Sequence, residues 1–400
     1  MISRTEAPSR LLDGDGTLDG HLGRYGRLPS LDAGQIIGLA RDSGLTGRGG
    51  AGFPVGRKLS AVAAARRSKT VIANGAEGEP ASGKDRALLL RQPNLVLDGL
   101  QLAARATGAA HAHLYAPAGV LPRLRDLLAA RRGAGLDALP VGLHAAPDAF
   151  VAGEETAVAS SVAGHGAVPA DKRIRLVDTG TLVQNVETLA RLALIARLGA
   201  GWFRSAGTAE EPGTFLATVS GAVARPDVVE AGYGVPLGDL ISAAGGATSP
   251  LQAVLVGGYH GGWVPADPAL PVSRRALEPL GASPGAGVIV ALPADVCGLV
   301  ETARIANYLA GQVAGQCGPC VNGLPRMAAT LADLAVGRPR AGLPGEVARL
   351  AALVTGRGAC RHPDGTGRLV LTAMRAFGAD VAAHLGGRCL ATGAATEGWR

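Results

Sequence analysis

In the first half of the chain, short apolar runs alternate with longer stretches of helical periodicity. Residues 70–72 and 112–115 are apolar runs of strand length, whereas residues 97–106 and 120–131 repeat apolar side chains at helical spacing. Strands that alternate with helices along a chain form a sheet covered by helices. The pattern predicts an α/β domain, which we expect to occupy residues 1–205 with a polar lead-in at its start.

The pattern changes beyond this domain. Residues 213–258 contain short β-rich runs separated by glycine and proline, with a compact helical segment between Pro236 and Gly245. We expect a small β-rich module of its own at residues 210–283.

The remainder of the chain is rich in alanine and leucine. A last strand, GVIVAL, precedes four stretches of helical periodicity, and a four-helix bundle is the natural way to bury their apolar faces. We expect this helical domain at residues 284–400, with helices near residues 298–312, 323–337, 345–355 and 367–386.

The composition narrows the possible partners. The apolar share of 47% and the mean hydropathy of +0.22 are typical of buried, globular material. The net charge of +7 is not accompanied by a basic block, and aromatic residues make up only 3%, so nucleic-acid binding is not expected. An acidic protein partner or an anionic cofactor explains the charge equally well.

The sequence offers no candidate membrane span. No run approaches the roughly 20 uninterrupted apolar residues that cross a bilayer, and the N-terminus has no apolar signal core. We expect a cytoplasmic protein, either free or peripheral to a membrane complex.

A glycine-dense segment at residues 44–60, GLTGRGGAGFPVGRKLS, is the strongest functional signal. Glycine allows positive φ and exposes backbone N–H groups, which is how a loop binds phosphate. Arg48 and Lys58 would add charge-assisted hydrogen bonds to that anion. The glycines proposed to contact it are Gly47, Gly49, Gly50 and Gly52.

The alternative for this segment is a flexible glycine linker in a chain that contains 60 glycines. Phe53 is unexpected in a linker, and its ring is predicted to be a buried anchor for the loop.

The second motif, residues 71–86, follows a predicted strand. Asn74 ends the strand and is able to donate and accept hydrogen bonds, as the edge of a flavin ring requires. Glu77 comes shortly after it, at the carboxyl end of a strand where α/β sheets bind ligands. The alternative is a charged surface loop.

The third motif, residues 149–162, places Gly153, Glu154 and Glu155 between an apolar run, interpreted as a strand, and an apolar helix. The two carboxylates would then lie at a helix N-terminus. Ordinary N-capping by glutamate is the alternative.

The fourth motif is LVQNVETLARLA, which places Asn185 and Thr188 at the start of a helix. Both side chains are suited either to bond a phosphate or to cap the helix.

Five cysteines lie late in the chain and are too few for a disulfide framework. Cys317 and Cys320 form a C-x-x-C pair, and Cys360 follows about forty residues later. This set indicates thiolate ligation of a metal or an iron–sulfur cluster.

Taken together, GRGGAGFP with its following lysine, N-x-x-E-x-EP with KDR, GEET, NVET and the late C-x-x-C resemble the NADH-binding flavoprotein (the 51 kDa-type or F-type component) of respiratory complex I. The resemblance runs from about residue 35 to about residue 375. Some features, including NGAE and VPADKRIRLVDTGTLVQNV, are similar to the flavin-fold component, RnfC-type, of Rnf ferredoxin:NAD reductases. Residues 213–258 are similar to the soluble-ligand-binding β-grasp (SLBB) insert of both families.

The resemblance implies a Rossmann-like domain that binds FMN through the loop at residues 44–60, Asn74, and the helix start at Asn185 and Thr188. It further implies NADH near Glu77, Glu154 and Glu155, with a [4Fe–4S] cluster in the helical domain. Gly153, Phe53 and Glu77 are also expected to contact the cofactors.

The sequence departs from the family pattern at the cluster motif. Ala314 stands where the family motif has its first cysteine, so only Cys317, Cys320 and Cys360 remain as thiolate ligands for the cluster. Three outcomes are open: one iron lacks a protein ligand, a substitute such as His362 or Cys297 replaces the missing cysteine, or the cluster is absent.

Further departures concern the nicotinamide side. The acid before Glu77 is Ala76, and the two aromatic positions that stack on adenine in the family fall at Ala61 and in the shortened segment 171–176, which has no aromatic residue. Each lost stacking pair removes about 1 kcal/mol beyond area burial. Phe150 stands where the family has a tyrosine before GEET, so the ring is kept but the hydroxyl is not.

The predicted function is an FMN-dependent NADH dehydrogenase-like subunit that passes electrons from NAD(P)H through FMN and an iron–sulfur centre. A ferredoxin-like or quinone-linked iron–sulfur protein is the expected acceptor. The alternatives are a flavin carrier that has lost nicotinamide binding, and a structural subunit without a competent redox centre.

Overall fold

The computed structural model of the chain describes residues 10–336, 340 and 342–391. Two β-sheets with the helices that accompany them, and a C-terminal group of helices, account for the regular structure of these residues. The predicted class is confirmed: an α/β layer, a separate β-rich module and a helical C-terminal region. Within the described ranges, no helix is both long and apolar enough to cross a membrane.

The first layer is the predicted α/β domain. Its elements are α1 (Leu18–Tyr25), α2 (Ala33–Asp42), α3 (Val55–Ala64), β1 (Thr70–Asn74), α4 (Lys84–Arg91), α5 (Pro93–Thr107), β2 (His111–Pro117), α6 (Leu121–Gly133), β3 (Val141–Ala146), α7 (Glu155–Val162), β4 (Thr181–Asn185) and α8 (Val186–Arg204).

The four strands are parallel and stand in the order β3-β2-β1-β4. The chain therefore moves outward from β1 through β2 to β3, and then returns to the other side of β1 as β4. This reversal leaves a crevice at the carboxyl ends of β1 and β4, which is where open α/β sheets bind ligands. Asn74 and Asn185 end these two strands and are paired in register.

Helices α5 and α8 form the centre of this layer. Nearly every residue of α5 is buried, as expected for a helix that is apolar on most of its surface. A Cβ at Gly99 would lie 2.0 Å from the carbonyl oxygen of Leu189. Glycine at this position thus allows the two backbones to approach, and it fixes where α8 begins relative to the sheet.

The second sheet has five strands in the order β6-β5-β9-β7-β8, with β5 and β9 parallel and the other pairs antiparallel. Its elements are β5 (Thr214–Gly221), β6 (Asp227–Gly232), α9 (Leu237–Ala243), β7 (Leu251–Val256), β8 (Gly262–Pro265), α10 (Arg274–Leu277) and β9 (Val288–Pro293).

Strand β9 lies in the middle of this sheet, between β5 and β7. A domain boundary at residue 283 would separate it from the strands to which it is hydrogen-bonded. The pairing favours a boundary just after Pro293, because a central strand belongs to the core of its sheet. The limits 1–205, 210–283 and 284–400 stay predictions in other respects.

The helical region contains α11 (Gly298–Gly311), α12 (Leu324–Ala335), α13 (Leu343–Val354), α14 (His362–Ala376) and α15 (Gly378–Leu385). A π-helical turn, Pro319–Gly323, leads into α12 and carries Cys320.

The prediction of one helix over residues 367–386 is wrong. The helix breaks at Phe377, whose backbone is not helical and whose ring packs against Gly298 and lies 5.3 Å from the ring of Trp263. Burial of this ring turns the chain, and α15 leaves in a new direction at Gly378. Periodicity alone does not reveal such a break because both helices present apolar faces.

Candidate functional site

The glycine-rich segment forms a closed loop at the crevice between β1 and β4. A β-bridge joins Thr46 to Pro54, and the N–H of Gly47 donates to the carbonyl oxygen of Phe53 over 2.9 Å. The N–H of Arg48 donates to Thr188 Oγ1 over 2.9 Å, which ties the loop to the first turn of α8. The segment is thus an ordered loop rather than a flexible linker.

The loop has open space at Gly50 and comes close to the N-terminus of α8 at Gly49. Gly50 has φ of +108°, and a Cβ there would have no heavy atom within 3.9 Å except its chain neighbours. A Cβ at Gly49 would stand 3.4 Å from Asn185 Cβ, in ordinary contact. A side chain at Gly49 would approach the N-cap residue of α8, and the helix dipole favours a phosphate close to a helix N-terminus. The residues present therefore fit the phosphate of FMN.

Two asparagines border the crevice. Asn74 donates from Nδ2 to the carbonyl oxygen of Gly153 over 2.9 Å and accepts from the N–H of Ala76. Asn185 caps α8 by accepting from the N–H of Glu187, and its Nδ2 donates to Asp85 Oδ2 over 2.8 Å. Their side chains are therefore held in fixed orientations at the carboxyl edge of the sheet.

Lys58 lies beside this crevice on α3. Its Nζ donates to Glu155 Oε2 over 2.7 Å and to the carbonyl oxygen of Val183 over 2.9 Å. The lysine therefore links the helix after the glycine loop to the start of α7.

Arg48 is directed elsewhere. Its guanidinium is buried, lies 4.7 Å from the centre of the Tyr233 ring and donates to Thr46 Oγ1 and the carbonyl oxygen of Pro212. Burial lowers the pKa of this guanidinium. The backbone of Arg48 contacts α8, but its side chain holds the loop against the second sheet, so its role as a countercharge stays a prediction.

Phe53 does not anchor the loop. Its side chain is 48% exposed, with the guanidinium of Arg57 5.5 Å from the ring centre. The prediction of a buried ring is wrong because the bridge between Thr46 and Pro54 closes the loop through backbone contacts and leaves the side chain outside.

Two of the three glutamates proposed for the nicotinamide side cap helices in this structure. Glu77 accepts from the N–H groups of Asp85 and Arg86 at the start of α4. Glu154 accepts from the N–H groups of Thr156 and Ala157 at the start of α7. For Glu154, the observed N-capping is the alternative that the sequence left open, and the catalytic role of both carboxylates stays a prediction.

The residues before Glu154 do not form a strand. Phe150–Gly153 is a single 3-10 turn, and the preceding strand, β3, ends at Ala146. The turn brings its backbone to Asn74, whereas a strand at this position would have extended away from the crevice.

A buried charge network behind the crevice was not predicted as part of the site. Lys84 Nζ lies 2.7 Å from Asp85 Oδ1 and 3.2 Å from Glu187 Oε2, and all three side chains are buried. Burial raises the pKa of Asp85 to about 6 despite the adjacent ammonium. Lys84 is one of only four lysines in the chain, and this rarity was the sequence feature that could have pointed to the network.

A second group of side chains surrounds a small pocket between the helical region and the α/β layer. Cys317, Cys320 and Cys360 line it together with Ala314 and His362. Burial and the two neighbouring thiols raise the pKa of Cys320 to about 12. Burial also raises the pKa of Cys360, and a bound cationic metal centre favours the thiolate form instead.

Neither His362 nor Cys297 is available to replace the cysteine that is missing at Ala314. His362 Nε2 donates to the carbonyl oxygen of Leu309 over 2.8 Å, and its Nδ1 lies 3.1 Å from His260 Nε2. Both ring nitrogens are therefore engaged. Cys297 does not line the pocket and lies beside His384 instead. The donor set fits an iron–sulfur cluster held by three thiolates.

The turn Phe150–Gly153 lies between the two sites. Gly153 accepts the hydrogen bond from Asn74 at the crevice, and Val151 lines the thiol pocket. The N–H of Phe150 donates to Gln312 Oε1 over 3.0 Å, which fixes the turn to the helical region. A few residues thus separate the predicted flavin site from the predicted cluster site.

Comparison with known families matches three separate parts of the chain. Residues 40–194 match the Nuo51 FMN-binding domain, residues 216–259 match the SLBB domain, and residues 301–384 match the NADH-ubiquinone oxidoreductase-F iron-sulfur binding region. The third match contains the three pocket cysteines.

Whole-chain comparisons agree. The chain is 30% identical over 373 residues to the second F-type subunit of NADH-quinone oxidoreductase from Rhizobium meliloti, covering 88% of this chain and 89% of that protein. It is 28% identical to the F-type subunit of NADH-quinone oxidoreductase from Streptomyces coelicolor, covering 83% of that protein. A chain in the crystal structure of an NAD+-reducing [NiFe]-hydrogenase in the air-oxidised state superposes with a TM-score of 0.81 at 32% identity. That match covers 88% of this chain but only 63% of the hydrogenase chain. The chain belongs to the family of F-type subunits of NADH-quinone oxidoreductase.

Proposed function

We propose that this chain is a flavoprotein subunit that oxidises NAD(P)H and passes the electrons through FMN to an iron–sulfur cluster. The observation that carries the proposal is the turn Phe150–Gly153, which borders both the crevice and the thiol pocket. FMN accepts a hydride as an electron pair and releases electrons singly, so it serves between a nicotinamide and a one-electron centre.

The loop at Gly47, Gly49, Gly50 and Gly52 would hold the phosphate of FMN, together with the N-terminus of α8. Thr188 positions this loop through its bond to the Arg48 backbone. Lys58 supplies a nearby ammonium that is already oriented by Glu155. Asn74 lies where one edge of the flavin ring would be recognised, and its partner Gly153 is then also part of the ring site.

On the nicotinamide side, Glu155 is the most accessible of the three predicted carboxylates. Its side chain is 45% exposed and its partner is Lys58. Glu77 and Glu154 would contribute mainly by fixing the starts of α4 and α7, since their oxygens accept helix N–H groups.

A second candidate function is a flavin carrier that receives electrons from a protein rather than from NADH. It is supported by the absence of aromatic side chains at Ala61 and in segment 171–176, where the family stacks adenine. Without stacking, dinucleotide affinity would fall while FMN affinity would not.

The acceptor and the location are also proposals. The names of the relatives describe a subunit of NADH-quinone oxidoreductases and an NAD+-reducing hydrogenase, so we expect an iron–sulfur subunit or a ferredoxin-like protein as the partner. We expect the chain to act in the cytoplasm or on the cytoplasmic side of a membrane complex.

Cofactor analysis with spectroscopy tests the proposal. Anaerobically purified protein should contain one FMN per chain together with iron and sulfide, and NADH should bleach the flavin absorbance. A flavin spectrum that NADH leaves unchanged would favour the carrier function. Folded protein that neither contains nor takes up FMN would refute both.

The three-thiolate set is tested by adding the missing ligand. We expect Cys317→Ser to lose iron and keep FMN, with Cys389→Ser as a control that keeps both. Ala314→Cys would supply a fourth thiolate to the pocket, and its cluster should change in iron content or in electron paramagnetic resonance signal. An unchanged signal would show that position 314 does not face the cluster.

A further inference from the structure

A second group of soft metal ligands lies apart from the thiol pocket. One ligand atom each from Cys297, His384 and Cys389 lies within 4.8 Å of the others. None of the three lines the thiol pocket, and both cysteines fall outside residues 301–384, the iron–sulfur binding region. The group is thus separate from the cluster site of the proposed function.

The three residues come from different parts of the helical region. Cys297 is the N-cap residue of α11, His384 is in the last turn of α15, and Cys389 follows α15. Cys297 and His384 are buried, whereas Cys389 is exposed. A metal ion bound by all three residues would fasten the chain after α15 to the start of α11.

The imidazole of His384 is held in the tautomer that binds metals. Its Nδ1 lies 3.1 Å from the carbonyl oxygen of Leu334. A carbonyl oxygen only accepts, so Nδ1 carries the hydrogen and Nε2 keeps its lone pair. That lone pair lies on the nitrogen 3.5 Å from Cys297 Sγ. Metal-bound histidines are oriented in this way, by a hydrogen bond from the distal nitrogen to a backbone carbonyl.

A buried carboxylate nearby lacks a full set of partners. Asp380 lies one helical turn before His384 and is 3% exposed. Its Oδ2 accepts from Gln252 Nε2 over 3.0 Å, whereas its Oδ1 has no hydrogen-bond partner. A buried carboxylate without a countercharge is costly, and a cation held by His384 would offset part of that cost.

We propose that Cys297, His384 and Cys389 bind a single zinc ion. Two thiolates and one imidazole are a ligand set that zinc accepts in tetrahedral geometry. The exposure of Cys389 leaves the fourth position accessible to water, as in zinc sites with three protein ligands. Burial raises the pKa of the Cys297 thiol, whereas the N–H groups of Leu299 and Val300 at the start of α11 favour its thiolate.

The site has a structural consequence. Zinc would join α11, which precedes the cluster motif, to the end of α15. The ion therefore stabilises the packing of the helical region without contributing to electron transfer. Loss of the zinc ion should leave FMN and iron in place. Failure of the zinc proposal is therefore distinguishable from failure of the proposed function.

Metal analysis of the complete protein tests the proposal. Protein purified with zinc in the medium, then passed through a desalting column, should retain one zinc ion per chain by plasma mass spectrometry. Zinc-edge X-ray absorption should show two sulfur ligands and one nitrogen ligand from the protein. Cys389→Ser and His384→Gln should each lose zinc while retaining FMN and iron.

Cys317→Ser is the matched control, because it removes a thiol from the other pocket: it should lose iron and keep zinc. Circular dichroism verifies that each variant is folded, and Cys389→Ser alters only an exposed side chain. Wild-type protein without zinc, even after zinc addition, would overturn the proposal. So would zinc retained in Cys389→Ser, zinc lost in Cys317→Ser, or a Cys297–Cys389 disulfide in the isolated protein.

Discussion

Replacing Gly50 with alanine separates the backbone requirement of the loop from its ligand-binding role. Gly50 has φ of +108°, a conformation that alanine adopts at a cost of about 1–3 kcal/mol. The added methyl group would have no heavy atom within 3.9 Å except its chain neighbours. A steric clash inside the protein therefore does not contribute, and any loss of FMN arises from strain in the loop or from occupation of the open space beside Gly50.

Gly164 provides the matched control. It follows α7 with φ of +88°, and an added Cβ would have no neighbour within 4 Å. Gly164→Ala should carry a comparable strain of about 1–3 kcal/mol, but it changes nothing at the crevice. Both variants should thus lose similar unfolding free energy in urea.

Only Gly50→Ala should weaken FMN binding. Losing one hydrogen bond to a charged phosphate costs about 1.5–3 kcal/mol, which corresponds to roughly a tenfold to hundredfold rise in Kd. Quenching of flavin fluorescence on titration of the cofactor-free protein measures Kd directly. Equal FMN affinity in the two variants would refute the placement of the phosphate on this loop.

Three further results are expected. Arg191→Met removes a fully buried cation that faces Glu187 and should cost about 3–5 kcal/mol in urea unfolding, whereas Arg349→Met, on an exposed helix pair, should cost under about 1 kcal/mol. Burial raises the pKa of Glu79 to about 7, so the folded state binds this proton more tightly than the unfolded chain, and the free energy of unfolding falls as the pH rises from about 4.5 to about 7. Relative to wild type, the free energy of unfolding of Glu79→Gln should therefore rise by about 3 kcal/mol across this range. A difference between the two proteins that does not change with pH would contradict the raised pKa of Glu79. Lys58→Met should raise the Kd for FMN about tenfold, with a smaller effect at high salt.

Local patterns predicted most of the secondary structure. The strand ending at Asn74 and the helix beginning after Asn185 follow from apolar periodicity and capping chemistry, which depend on neighbouring residues alone. The glycine loop was predictable for the same reason, since its unusual backbone is encoded within a few positions.

Contacts between distant residues could not be predicted in this way. Arg48 has the charge expected of a phosphate ligand, yet its side chain stacks on Tyr233, which directly follows β6 of the second sheet. The break at Phe377 depends on the space left by Gly298. In each case, packing between segments far apart in sequence decides the outcome, and one sequence does not reveal which segments meet.

Segment 171–176, which lacks the aromatic residue of the family, has a structural role between the crevice and the thiol pocket. The N–H of Lys172 donates to the carbonyl oxygen of Ala359 over 2.6 Å, directly before Cys360. Just upstream, the carbonyl oxygen of Pro169 accepts from Gln316 Nε2 over 2.8 Å, directly before Cys317. The first contact fixes the backbone next to Cys360, and the second fixes the side chain of the residue before Cys317. Loss of adenine stacking therefore need not loosen the connection between the flavin and cluster sites, because backbone and amide hydrogen bonds maintain it.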